Sequence, residues 1–98
     1  MKPEIEDRLN RSQIQVTAVG PRFCMFVRED CLAVVPWDGE TFSGIGSTGL
    51  ALEQGLAYLV WRDGRHVLAR HDFEIPAEPA QVEKILQFSA DLKTALGL

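Results

Sequence analysis

Metal, acid–base or thiol chemistry in this chain would have to come from His66 and His71 or from Cys24 and Cys31. The histidines are five apart, an odd number, so on one strand they project to opposite faces and cannot share a metal without a bulge. Apart from Asp72 beside His71, neither has a cysteine or carboxylate at a ligand spacing, and no metal site is expected. If Glu29-Asp30 is a tight turn, Cys24 and Cys31 fall on neighbouring strands, offset beyond the ~7 Å Cα separation a disulfide tolerates. Cys24 then reads as a small buried hydrophobe, and Cys31 would need a cation such as Arg28 to become reactive. Ser12, Ser43, Ser47 and Ser89 are present, but none lies in a G-x-S-x-G elbow. Asp72 and Glu74 share a face at a strand end, where carboxylates are usually solvated. The reading is non-catalytic, with no cofactor expected.

A second constellation is Gly44-Ile45-Gly46-Ser47-Thr48-Gly49, which matches G-x-G-x-x-G. In a dinucleotide fold that pattern directly follows a strand and opens a helix inside a βαβ unit. A chain this short, with its strands clustered in hairpins, cannot supply the doubly wound sheet. A simpler anion nest at a helix start is the surviving ligand reading. It would use Gly44, Gly46, Ser47, Thr48 and Gly49, with Arg62 and Arg65 as anion partners. The plainer alternative is a turn-forming loop.

The third constellation is a surface. In Ala57–Phe73, two β-prone runs flank Asp63-Gly64, a dipeptide suited to the tight turn of a hairpin. Alternation then puts Tyr58, Val60, Val67 and Ala69 on one face with Arg62 and Arg65, and sets His66 across from Trp61. Aromatic and arginine side chains are favoured at protein interfaces. Tyr58, Trp61, Arg62 and Arg65 are therefore the candidate interaction residues, against the alternative of plain packing.

The remaining elements must position these groups. Pro3–Asn10 suits two helical turns. Ile14–Val19 alternates as a half-buried strand. Arg22–Arg28 is nearly all apolar between two arginines, like a strand buried on both faces, and Cys31–Val35 continues in kind until Pro36. Ser47–Gly55 reads as a short helix capped by Ser47 and ended by Gly55, or as a strand with a Gln54-Gly55 turn; the helix is preferred. Pro79 opens a final helix with an apolar stripe from Val82 and Ile85 through Leu86, Phe88, Leu92 and Ala95 to Leu96, and Gly97 closes it. The expected fold is one α+β domain over residues 1–98. About five mostly antiparallel strands are covered by a C-terminal helix, in the order helix, three strands, short helix, two strands, helix. That order is similar to the order in small dimeric adaptor domains and secretion-chaperone-like folds; the likeness rests on order alone.

Composition narrows the function. The 98 residues carry a net charge of −4, with 46% hydrophobic and 24% charged residues, an ordinary globular balance. A pI near 5.0 argues against a nucleic-acid partner, because phosphate neutralisation needs a basic surface. No run approaches the ~20 apolar residues that span a bilayer, so no membrane partner is expected. The charged start M-K-P-E-I-E-D-R-L-N lacks the apolar stretch of a signal peptide, and two cysteines are too few for a disulfide scaffold. A cytoplasmic location follows as an expectation. From Glu29 to Trp61 there are five acids and no lysine or arginine, while Arg62–His71 holds three arginines, two histidines and one acid. That asymmetry suits head-to-tail contacts or an acidic partner, unless the charges are merely solvated. The expected function is a small protein–protein interaction domain, adaptor- or chaperone-like and homodimeric, motivated by the apolar runs Phe23–Val27 and Cys31–Val35. The alternative is a small-ligand or phosphate-binding domain using residues 44–49.

Overall fold

The computed structural model describes residues 1–98. Helix α1 (Pro3–Arg11) precedes seven strands: β1 (Gln15–Val19), β2 (Phe23–Arg28), β3 (Cys31–Pro36), β4 (Ser47–Leu52), β5 (Gly55–Arg62), β6 (Arg65–Arg70) and β7 (Phe73–Pro76). Helix α2 (Pro79–Leu96) ends the chain. Each strand pairs antiparallel with the next, giving one seven-stranded meander in sequence order. The class and the C-terminal helix are as expected, with seven strands where about five were expected.

The hairpin behind the candidate surface forms as read. Asp63 and Gly64 both take positive φ, 52° and 78°, the conformation that matches a two-residue turn to strand twist. The ladder pairs Arg62 with Arg65, Trp61 with His66 and Tyr58 with Ala69. Pro79 sits in the first turn of α2, Glu78 and Gln81 close a capping box across its start, and Gly97 ends it in the left-handed region at φ 75°, all standard terminal chemistry.

Register divides the sheet into two faces. Cys24, Phe26, Cys31, Ala33, Val35, Leu50, Ala57 and Leu68 join Ile5 and Leu9 of α1 and Ile85, Phe88, Leu92, Ala95 and Leu96 of α2 in one core cluster. Both helices thus lie on the same face, with α2 closest to β3 and β4 and α1 packed beside it. Arg28 ties the layers: one amine nitrogen bonds Asp91 at 2.9 Å and the Ser12 carbonyl at 3.1 Å, and the guanidinium lies 5.5 Å from the Phe88 ring centre. Arg8 donates to the Ala95 carbonyl at 2.8 Å, joining the helices.

Four expectations need correction. Ser47–Leu52 is a strand, not a helix: Thr48, Leu50 and Leu52 alternate inward, and pairing to β3 and β5 on both sides satisfies more backbone groups than two helical turns would. Phe73–Pro76 is a further strand, paired to β6; the prolines that punctuate this tail are tolerable because β7 is an edge. Strand β1 is exposed throughout rather than half-buried. Its inward residue Ile14 is buried just before the strand, and the register shifts between Val16 and Ala18, which interrupts the alternation on this edge. Strand β2 is not buried on both faces: Cys24 and Phe26 are buried, Met25 and Val27 half-buried, and Phe23 exposed, because helices cover only one face of the sheet.

Candidate functional site: two apolar surfaces

The open face of the sheet is built by residues alternate to the core set. It carries Met25, Val27, Leu32, Val34, Tyr58 and Val60, continued by Val67 and Ala69. Leu32 and Val67 are 3% and 1% exposed yet lie outside the helix-side cluster, so this face has apolar packing of its own. No charged residue falls among these positions; Arg62, Arg65 and Glu74 stand at its β5–β7 margin. Phe23 and Leu56, exposed by 47% and 39%, extend it at the rims. An uncharged apolar centre with charge at the rim is the composition of an interface core.

The expected interaction set divides between the faces. Tyr58, Arg62 and Arg65 belong to the open face. Trp61 alternates onto the helix side, where its ring meets His66 edge-on at 4.8 Å and 79°. It is 65% exposed because α2 does not reach the tip of the β5–β6 hairpin. Between that tip and the first half of α2 lies a groove of about 770 Å³, walled by Trp61 and His66 on the hairpin and by Val82, Glu83 and Leu86 on the helix. Sequence reading missed this groove. Its one signal was the breadth of the α2 stripe: Leu86 belongs to it, yet is 52% exposed.

The glycine loop has lost the element that would make it an anion nest, since no helix starts at Ser47. Two of its glycines have a packing reason instead. A Cβ at Gly49 would overlap the Ala57 carbonyl oxygen, and one at Gly46 the Val34 carbonyl oxygen, whereas Gly44 faces open space. Ser47 and Thr48 are strand residues paired to Val34 and Ala33.

The thiols lie on the helix side of adjacent strands. Cys24 pairs with Val35 and Cys31 with Arg28, an offset of four residues or ~13 Å along the strand, so both are free. Burial raises both pKa values, and Asp30 adds to the rise at Cys31, which keeps the thiols protonated and unreactive. No cluster of metal-ligating side chains forms, and no helix is long and apolar enough to cross a membrane.

The uneven charge of the sequence is balanced in part within the fold. Lys84 of α2 bonds both Glu29 and Asp30, at 3.2 Å to Glu29. Arg62 pairs with Glu74 across the sheet, and Arg70 with Asp72 at 2.7 Å. The Arg70 hydrogen bond holds the Asp72 carboxyl below its usual range. The backbone N–H groups of Thr41 and Glu40 do the same for Asp38. Arg65 and Glu83 enter no ion pair.

Comparison with known proteins found no matching family model, curated protein or solved structure.

Proposed function

We propose that this protein is a non-catalytic interaction domain that pairs with a second copy through the open face of its sheet. The observation that carries the reading is the charge-free apolar surface from Met25 to Ala69 opposite the helices. The five strands β2–β6 that span it, at ~4.8 Å spacing and ~18 Å length, present ~430 Å² in projection. Side-chain relief raises that toward the ~800 Å² per partner of a standard interface. Two such faces stacked about a two-fold axis make a sandwich with an apolar centre, the self-complementary geometry of a closed dimer. Exposed apolar patches of this size mark association surfaces.

Light scattering coupled to size-exclusion chromatography tests it. The wild type is expected at twice the chain mass, and Val34→Lys and Val60→Asp, at half-buried positions of the open face, at the monomer mass. Their far-UV circular dichroism should match the wild type. A monomeric wild type, or folded variants that remain dimeric, would overturn the reading.

A further inference from the structure

The free edge of β1 is a separate surface, at the rim of the sheet rather than on its open face, and it does not depend on the proposed dimer contact. Strand β1 pairs with β2 alone, so its outward N–H and C=O groups have no partner strand within the chain. The opposite edge is guarded. Strand β7 is four residues long, ends in Pro76 and carries Glu74, and the Arg70–Asp72 ion pair stands at its entry. Gln15–Val19 holds no charge and no proline. Its only guard is the extra residue Thr17, between the pairings of Val16 and Ala18 with β2. Such a bulge adds twist, which a second folded edge cannot match but a flexible chain can follow.

A cleft runs beside this edge. The connection from α1 to β1 is tight: Gln13 takes positive φ, 59°, and the Ile14 N–H donates to the Leu9 carbonyl at 2.9 Å, which keeps the helix beside the start of the strand. Between them lies a cleft of about 440 Å³, walled by Glu6, Leu9 and Asn10 of α1 and by Ile14 and Val16. Val16 and Val19 pair with Phe26 and Cys24 and so face the helix side, and both are exposed. Glu6 is the one charged residue of the cleft and enters no ion pair. We propose that β1 and this cleft receive an extended segment of a partner protein as an added strand. Backbone pairing to Gln15–Val19 supplies affinity, and alternate side chains supply selectivity. Apolar residues of the segment lie against Val16 and Val19, and a lysine or arginine on the same face meets Glu6. A second copy of β1 would answer the unpaired backbone, but Q-V-T-A-V brings no cation to Glu6.

The probe is a capped synthetic peptide of about eight residues in which valines and one lysine alternate with threonines, so that valines and lysine share a face. Its control has the same side chains with the central amides N-methylated, which removes the donors from both edges of the added strand. Titrated into the ¹⁵N-labelled full chain, the probe should shift amides of residues 6–19, slow hydrogen exchange within Gln15–Val19 and leave β7 unmoved. Val19→Lys, at an exposed edge position, should weaken binding about tenfold by placing charge against the apolar row. Glu6→Lys, on the exposed side of α1, should weaken the lysine peptide severalfold and favour by a similar factor a peptide with glutamate in its place. The proposal falls if the probe shifts nothing in β1, if the N-methylated control binds as well, if shifts map to the open sheet face, or if Glu6→Lys leaves the preference between the two peptides unchanged. It falls also if Val19→Lys lowers the protein's own mass in light scattering, since a second copy would then be the occupant.

Discussion

At Gly49 the sheet has no room for a side chain. An added Cβ would run into the Ala57 carbonyl oxygen and its neighbours on β5, while at Gly44 it would meet nothing. The two glycines look alike in a G-x-G-x-x-G pattern, and their physical roles are unrelated. A motif defined by residue type carries no information about which backbone will approach it, so the pattern suggested a phosphate loop where the fold needs a close strand crossing. Gly49→Ala must push β4 from β5 or break the register, a clash with backbone that no rotamer relieves. It should cost about 2–3 kcal/mol, whereas Gly44→Ala should stay within about 0.5 kcal/mol. Urea midpoints at unchanged m-value measure both. Equal effects at the two positions would remove the packing account of Gly49.

The elements that could be read from the sequence are those whose local chemistry and tertiary setting agree. Asp63-Gly64 accepts positive φ at both turn positions, and the flanking runs pair in the register that alternation demands. Pro79 and Gly97 delimit α2 by terminal preferences that do not depend on the rest of the fold. Ser47–Gly55 reads both ways because Leu50 and Leu52 fit a strand face while Ser47 and Gly55 fit helix ends. Two neighbouring strands decide it, and neither is local in sequence. Ala51 supplies a test with opposite signs. It is exposed on the open face of β4 opposite Leu56, so a β-branched replacement adds cross-strand contact in a strand and loses rotamer freedom in a helix. Ala51→Val should therefore stabilise by up to about 0.5–1 kcal/mol. A loss of similar size in thermal unfolding would favour the helix.

Across the whole molecule, the meander places its strongest and weakest members at predictable distances from the helical layer. Strands β3 and β4 lie under α2 and are paired on both edges, and Ile85, Phe88 and Leu92 above them are fully buried. Strand β1 is an edge with all five residues exposed and a shifted register; β7 is an edge of four residues ending in Pro76. The sequence showed part of this gradient, since β1 alternates polar and apolar residues while β3 is apolar throughout, but the full exposure of β1 depends on what covers it. Local opening costs least where few apolar contacts must be broken. Amides of β1 and β7 should exchange through openings well below the global unfolding free energy, and those of β3, β4 and central α2 only with global unfolding. Native-state hydrogen exchange across a denaturant series measures this: edge amides should show little denaturant dependence and central amides the full m-value. If two copies pair through the open face, dilution below the dissociation constant should accelerate exchange at the central amides by mass action. The edge amides, already opening locally, should change least, so one experiment reads the order of stability within the fold and its coupling to assembly.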